Sequence, residues 1–210
     1  MSDLLVVPRA ELSIEDPWAV PAACAPVRLR RASDAAAPRL ATSVVVYFDD
    51  EYLNVLFSCA DDHVVATHRV HDAPLYEEDV VEIFLAPVRI EEYFELEVNP
   101  LGTTFDARIE SPHGVRTTMK NDLGWTCDGL VAALCTTVES SGERSTDTIL
   151  RIPFASLGRE TPCDGETWRA NFYRIDRHRD GDEFSAWQPT MKVPPDFHVP
   201  AKFGVLKFAR

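Results

Sequence analysis

The sequence predicts an all-β fold, an antiparallel β-sandwich of the jelly-roll or immunoglobulin-like type in a single domain. From residue 41 onward, short runs rich in β-branched and aromatic residues recur with turn residues between them, the pattern of a sandwich or barrel. Helical periodicity is scarce, and the chain has no internal repeats. Of its 210 residues, 45% are hydrophobic, which is enough to bury a substantial core in one domain.

The elements fall into two regions. Residues 1–40 are rich in Pro, Ala and Arg and show little periodicity, which predicts an irregular N-terminal lead-in packed on the sandwich, with one strand over 27–31. Residues 41–210 form the predicted sandwich, with a hairpin at 49–51 and a single helical turn over 154–158. Its predicted strands are 43–48, 53–59, 80–86, 93–99, 104–109, 129–138, 148–153, 169–176 and 205–208.

Strands 80–86 and 93–99 carry a polar row on one face. Successive side chains of a strand point to opposite faces of its sheet, so the hydrophobic residues at 81, 83, 85, 94, 96 and 98 point inward. The opposite face collects three carboxylates and an amide, from Glu82, Glu95, Glu97 and Asn99. With the aromatic Tyr76 at its edge, this face fits a hydroxyl-rich ligand such as a sugar. Such a ligand pairs its hydroxyls with polar groups and packs its C–H face on a ring.

Four segments extend this pattern over the chain. They are Asp49-Asp-Glu-Tyr-Leu-Asn-Val-Leu-Phe57, Leu75-Tyr-Glu-Glu-Asp-Val-Val-Glu-Ile-Phe-Leu85 with strand 93–99, Trp168-Arg-Ala-Asn-Phe-Tyr-Arg-Ile-Asp176, and Ser185-Ala-Trp-Gln-Pro189 with Asp196-Phe-His-Val-Pro-Ala-Lys-Phe-Gly204. Their order resembles carbohydrate-binding module family 9, part of the wider DOMON-type β-sandwich superfamily. The resemblance runs from about Trp18 to Phe208, and it is the ordered set rather than any single motif that is specific.

The resemblance implies a site in which two aromatic side chains clamp a terminal sugar. Tyr76 falls at the position of the first and Phe197 at that of the second, where family representatives carry Trp. Smaller rings stack less area, which implies weaker binding or a different sugar. Glu82 matches a sugar-binding glutamate, Tyr173 matches a position with a polar side chain, and Asn171 lies on the same strand face. The alternative is that both aromatics pack within long loops and that Glu82 is an ordinary strand carboxylate.

Glu97 departs from the family pattern, which has an arginine at this position that donates to sugar hydroxyls. Three carboxylates on one face repel one another unless a cation intervenes, and Arg108 on the next strand or a bound metal could supply it. Arg174 points the other way by alternation. It is predicted to be structural rather than ligand-binding, with Asp79 as a candidate partner. Trp187 either stacks on a ligand or packs in the core, and core packing is favoured.

The predicted function is non-catalytic binding of a monosaccharide or oligosaccharide, linked to the breakdown of polysaccharides of the xylan or cellulose type. Because family members are often fused to hydrolases such as xylanases, a neighbouring glycoside hydrolase is a candidate partner. One alternative is a glycoside hydrolase, or a hydrolase-associated subunit, that uses Glu82, Glu95 and Glu97. Another is a haem-binding DOMON domain; Met119, Met191 and His198 are present, but their spacing does not indicate an axial pair.

The acidic net charge of the chain argues against two other kinds of partner. The net charge is −13, which argues against nucleic acid and against an anionic membrane surface, since both attract Lys and Arg. No apolar run approaches the roughly 20 residues that span a membrane. The first residues lack a basic segment followed by an apolar one, so we expect a cytoplasmic protein as the sequence is written, or a secreted one if a leader is missing.

Signals for a metal are weak, and no other cofactor is expected. The acidic turns at Asp49–Asp50 and Asp61–Asp62 are of a kind that calcium can use, and the resemblance implies structural calcium sites. Hairpin turns are often acidic without calcium, so this remains an alternative. The histidines at 63, 68 and 71 lack a further ligand for zinc and are expected to be solvated.

Overall fold

The computed structural model describes residues 3–11 and 18–210 and shows two β-sheets packed face to face. The remaining eight positions, 1–2 and 12–17, belong to the predicted lead-in and lie outside the described residues. Among the described residues the helical segments are single 3₁₀ turns, at Leu75–Glu77, Arg116–Thr118, Ala155–Leu157 and Pro200–Lys202. None of these is long and apolar enough to cross a membrane. The strands are β1 (Leu4–Pro8), β2 (Val27–Arg28), β3 (Arg30–Arg31), β4 (Thr42–Phe48), β5 (Tyr52–Asp61), β6 (Val80–Arg89), β7 (Glu92–Val98), β8 (Thr104–Glu110), β9 (Lys120–Asp122), β10 (Val131–Val138), β11 (Arg144–Pro153), β12 (Thr167–Asp176), β13 (Glu183–Ala186) and β14 (Gly204–Ala209).

The larger sheet has nine strands, in the order β1-β14-β12-β6-β7-β8-β9, with β13 paired to β12 and β3 paired to β13. The smaller sheet has five, in the order β10-β11-β5-β4-β2. All pairings are antiparallel except that of β1, which runs parallel to β14 at the edge of the larger sheet. The all-β sandwich predicted from the sequence is therefore confirmed, with this one parallel strand as an addition.

Each of the nine predicted strands of the sandwich overlaps an observed one, and the single turn near residue 155 is present. Three short strands, β1, β9 and β13, lie in segments where we predicted none. The strand predicted at 27–31 is two strands. Around Leu29 the chain crosses from the smaller sheet, where β2 pairs with β4, to the larger one, where β3 pairs with β13. The lead-in is thus more regular than its composition indicates.

The main hydrophobic core lies between the two sheets. It contains the inward row predicted for β6 and β7, whose members are Val81, Ile83, Leu85, Phe94, Leu96 and Val98. Trp187 is buried in the same core, 5.5 Å between ring centroids from Phe172, as predicted. Its indole lies so close to Gly204 that a Cβ at that position would overlap it. This contact explains why glycine follows Lys-Phe near the end of the chain.

A second hydrophobic cluster covers the outer face of the larger sheet. Strand residues such as Phe84, Tyr93 and Phe105 pack there against loop residues that include Leu75, Phe197 and Phe203. The polar row of β6 and β7 lies on this same face. The row is therefore not a flat, open surface, since loops cover most of it and leave one opening.

Candidate functional site

The opening is a cavity of about 320 Å³ on the outer face of the larger sheet. Glu82 of β6 and Glu95 of β7 reach it from the sheet. Tyr76, Phe184 and Phe197 line it from the surrounding loops and from β13. Two of the predicted ring residues and two of the predicted carboxylates thus meet at one cavity.

Tyr76 is the exposed ring of the cavity, with 51% of its surface accessible. It lies in the 3₁₀ turn Leu75–Glu77, and the neighbouring Leu75 is fully buried and anchors the turn in the outer cluster. On the other side of the turn, Glu78 accepts hydrogen bonds from the backbone N–H groups of Thr67 and His68. The turn is therefore fixed at both ends while its aromatic side chain remains free to contact a ligand.

Phe197 forms a wall of the cavity rather than a free clamp. It is only 7% exposed, and one face of its ring stacks on Tyr173 at 4.2 Å between centroids. The Tyr173 hydroxyl also donates a hydrogen bond to the Phe197 carbonyl, at 3.0 Å. Tyr173 is fully buried and therefore positions Phe197 instead of offering its hydroxyl to a ligand, which corrects the role implied for it.

The floor of the cavity is a cluster of three carboxyl groups, Glu82, Glu95 and Glu97. Glu82 on β6 is directly opposite Glu97 on β7. Glu95 precedes Glu97 by two residues on β7 and therefore lies on the same face of the sheet. One carboxylate oxygen from each lies within 4.8 Å of the others. All three side chains are buried, and Glu97 has no accessible surface. Directly opposed like charges destabilise a sheet, so this arrangement requires compensation.

Burial is the main influence on the pKa values of these three carboxyl groups. It raises the pKa of Glu95 to about 7, and it raises the pKa values of Glu82 and Glu97 well above their usual range. The charges of neighbouring carboxylates raise the pKa values of Glu82 and Glu97 further. Interaction between the Glu95 and Glu97 side chains lowers the pKa of Glu95 and raises that of Glu97. At neutral pH the cluster therefore carries fewer than three negative charges.

His198 borders the cluster and is held by a hydrogen-bond chain. Its Nδ1 lies 2.8 Å from the Tyr93 hydroxyl, which in turn donates to the sulfur of Met119 at 3.6 Å. Nε2 on the other side of the ring lies 3.8 Å from Glu95 Oε1. Burial, aided by the charge of Arg116, lowers the pKa of His198 to about 4, so the imidazole is neutral.

Two arginines stand at the rim, and both are already paired. Arg116 contacts Asp196 at 2.8 Å. Arg177 contacts Asp182 at 2.5 Å and donates to the backbone carbonyl of Tyr76. Neither forms an ion pair with the carboxyl cluster among the described residues, although their charges lower its pKa values slightly.

Two amides that we assigned to the ligand lie elsewhere. Asn99 is buried under the turn after β7, where its oxygen accepts from the N–H groups of Leu101 and Thr103. Asn171 is bound to the backbone of Gln188 through both ends of its amide. Neither lines the cavity, because each amide is fully used in holding a loop.

The predicted neutralising cation is also elsewhere. Arg108 is opposite Phe94 on β7, so it lies on the other face of the sheet from Glu95 and Glu97, and it pairs with Glu92. Arg174 is structural as predicted, but its carboxylate partners are Asp176 at 3.2 Å and Asp61 at 3.8 Å. Asp79, the expected partner, instead accepts backbone N–H groups from residues 65 and 177.

The aspartates of the acidic turns considered for calcium have partners within the chain. Asp49 accepts from two backbone N–H groups of its turn and pairs with Arg151 at 3.0 Å. Asp61 accepts from the His63 N–H and faces Arg174. Within residues 3–11 and 18–210, the groups of side chains spaced to hold a metal are the carboxyl cluster and His71 with Asp72 and Asp106.

The residues considered for haem also have other partners. Met119 and His198 both contact the Tyr93 hydroxyl. Met191 is exposed on a loop.

Sequence analysis missed several residues of the cavity. Arg177 continues the alternation of 171, 173 and 175 and could have been placed on this face by the same argument. Asp196 and His198 flank Phe197 in a segment that we singled out. Phe184 and Arg116 lie in segments without periodicity, so the sequence carried no signal for them.

Comparison with protein families matches residues 36–208 to the model of carbohydrate-binding family 9. No curated protein matches the chain in sequence. Among solved structures, a protein from Bacteroides uniformis ATCC 8492 is similar at a TM-score of 0.70 and 18% identity, with 98% of each chain covered.

Two further similar structures are of a family 9 carbohydrate-binding module from Caldicellulosiruptor kristjanssonii. The complex with cellotriose has a TM-score of 0.64 and 15% identity, covering 98% of this chain and 93% of that one. The complex with glucose has a TM-score of 0.61 and 15% identity, covering 99% and 96%. At these identities the likeness supports the fold, and the family match covers most of the chain.

Proposed function

Because the chain belongs to carbohydrate-binding family 9, we propose that it binds the terminal sugar of an oligosaccharide of the cellulose or xylan type in the cavity between Tyr76 and Phe197. The observation that carries the proposal is the meeting of an exposed ring and buried carboxyl groups at one opening. The similar module from C. kristjanssonii is a complex with cellotriose or with glucose, which supports a glucose-based ligand.

The cavity supplies the two kinds of contact that a sugar needs. Tyr76 offers a ring face for the C–H groups of the sugar, and Phe197 forms the apolar wall. Glu82 and Glu95 offer carboxyl groups for hydrogen bonds with the hydroxyl groups of the sugar. Because Phe197 is mostly buried, the contact is asymmetric, and Tyr76 supplies most of the stacking area.

The arrangement of the carboxyl groups supports binding without catalysis. A glycoside hydrolase places two carboxyl groups across the scissile bond, about 5–5.5 Å or about 6.5–9.5 Å apart. Here the three groups lie side by side on one sheet face, with oxygens within 4.8 Å. A neighbouring glycoside hydrolase, if there is one, would supply the chemistry while this domain holds the chain end.

A glycan array followed by calorimetric titration with cellotriose and xylo-oligosaccharides tests the proposal. We expect saturable binding of one oligosaccharide per chain. Tyr76→Ala should weaken it by roughly 10-fold or more, about 1.4 kcal/mol, because the stacking area is lost. The matched control is Val70→Ala, a more exposed apolar residue outside the cavity lining. Equal affinity in both variants, or release of reducing sugar by the wild type, would contradict the proposal.

A further inference from the structure

The carboxyl cluster at the cavity floor has a charge arrangement that the proposed function does not explain. Glu97 has no accessible surface, and neither of its carboxylate oxygens accepts a hydrogen bond from any N–H or hydroxyl group of the described residues. One oxygen of Glu82 is likewise without a partner. Buried polar groups are nearly always satisfied, so these orphaned oxygens mark a missing binding partner.

The missing partner is positively charged. Within the described residues no lysine or arginine contacts the cluster, because Arg116 and Arg177 are held by Asp196 and Asp182. Arg108 lies on the opposite sheet face. His198 Nε2 is 3.8 Å from Glu95 Oε1, which is longer than a hydrogen bond. The side chains of the described residues that converge here therefore bring no lysine or arginine charge to the three carboxyl groups.

We propose that Glu82, Glu95 and Glu97 hold a divalent cation of the calcium or manganese type at the cavity floor, and that hydroxyl groups of the bound sugar complete its coordination. The second part rests on the proposed function. Carboxylate oxygen ligands are those that Ca²⁺ and Mn²⁺ prefer. The orphaned oxygens of Glu97 and Glu82 then acquire a partner.

The spacing fits such an ion. Ca²⁺ binds oxygen at about 2.3–2.6 Å, so two oxygens on one ion are at most about 4.6–5.2 Å apart. One oxygen from each of the three carboxyl groups lies within 4.8 Å of the others, a separation compatible with ligation of one ion. The three side chains project from adjacent positions of a rigid two-strand ladder, β6 and β7.

The accessibility of the cluster indicates where the remaining ligands come from. Glu82 and Glu95 line the cavity, whereas Glu97 is behind them and closed off from solvent. An ion among the three therefore has protein ligands on its inner side and the cavity on its outer side. Ca²⁺ takes six to eight oxygen ligands, which leaves positions for a pair of sugar hydroxyls or for water. His198 Nε2 flanks this opening.

The first test measures the cation alone. The full chain, freed of metal by a chelator, is titrated with CaCl₂ and separately with MnCl₂ without sugar. We expect one ion per chain, a higher melting temperature with the ion, and at least roughly 10-fold weaker binding in Glu97→Gln. Glu91→Gln, an exposed glutamate just before β7, should bind as the wild type does. Glu82→Gln serves as a second variant, should Glu97→Gln fail to fold by circular dichroism.

The second test measures the sugar with and without the cation. We expect cellotriose to bind the wild type at least roughly 10-fold more tightly with CaCl₂ or MnCl₂ than with EDTA. Sugar binding that EDTA does not change, together with flat cation titrations, overturns this inference and leaves the proposed function intact. Cation binding that depends on Glu97 without any sugar binding supports the ion site and contradicts the proposed function. Equal cation affinity in Glu97→Gln and wild type overturns the site.

Discussion

Two buried clusters of charged side chains lie on opposite faces of the larger sheet, and they differ in one respect. Between the sheets, Arg174 of β12 faces Asp176 and Asp61. On the outer face, Glu82, Glu95 and Glu97 face one another. Both clusters are almost inaccessible to solvent, so burial alone does not distinguish them.

The inner cluster contains a cation, the guanidinium of Arg174, among its carboxylates. The Arg174 guanidinium also donates to the Ala60 carbonyl at 2.7 Å and to the Thr42 hydroxyl at 3.2 Å, which joins β12 to the smaller sheet. Among the residues that the structure describes, none supplies such a group to the outer cluster, and three of its oxygens have no hydrogen-bond partner there. A buried charge with a full set of partners holds the fold together, whereas buried charges of one sign without partners indicate a ligand site.

The largest effect is expected from Arg174→Met, which removes the cation of the inner cluster. Asp61 would lose this buried cation, and Asp176 would keep only Arg39 as a charged partner, so the free energy of unfolding should fall by about 3–5 kcal/mol. Urea unfolding followed by tryptophan fluorescence measures it. Arg179→Met, at a fully exposed arginine, should stay within about 0.5 kcal/mol of the wild type. A loss below about 1 kcal/mol for Arg174→Met would show that the inner cluster is not structural.

A smaller loss is expected from Tyr173→Phe, which acts on the boundary of the outer site. The hydroxyl that donates to the Phe197 carbonyl is removed, and that carbonyl keeps only its hydrogen bond from the Val199 N–H. We expect about 1–1.5 kcal/mol lower stability, measured by urea unfolding, and sugar binding a few-fold weaker because Phe197 is less well held. Unchanged affinity in this variant would mean that Phe197 does not shape the binding cavity.

When divalent cations are absent, Glu97→Gln should raise the free energy of unfolding, whereas Arg174→Met lowers it. The amide removes one acidic group from the outer cluster and can donate hydrogen bonds to the oxygens of Glu82 and Glu95. We expect about 1 kcal/mol higher stability in EDTA, read from the same urea unfolding curves. A destabilised variant that is correctly folded would indicate that Glu97 has a stabilising partner within the chain.

The smallest effect concerns pH and the carboxyl group of Asp79, near the inner cluster. Burial, and then the charges of Asp176 and Asp61, raise its pKa from 3.8 to about 6. The folded state therefore holds this proton more tightly than the unfolded state, and the stability that it contributes is lost as pH rises through about 6. We expect the free energy of unfolding of wild type relative to Asp79→Asn to be larger at pH 5 than at pH 7. A difference that does not change between these pH values would contradict the shift.

Alternation along strands predicted the outer row of carboxyl groups because one face of each strand is purely hydrophobic, as in Ile83 and Leu96. The burial of that row under loops was not predicted, because the sequence of a loop has no periodicity that indicates its conformation. The burial of Phe197 and the use of the Asn99 amide in a turn follow from these loops. Arg108 was misplaced because its face depends on the register with Phe94, which composition does not determine.

The most direct test of the distinction between the two clusters is a calorimetric titration of Glu82→Gln with cellotriose in CaCl₂, beside wild type and Glu91→Gln. Glu82 is in the outer cluster and lines the cavity, whereas Glu91 is an exposed glutamate just before the neighbouring strand β7. We predict saturable binding in wild type and Glu91→Gln, and affinity at least roughly 10-fold lower in a folded Glu82→Gln. Equal affinity in all three proteins would contradict the account.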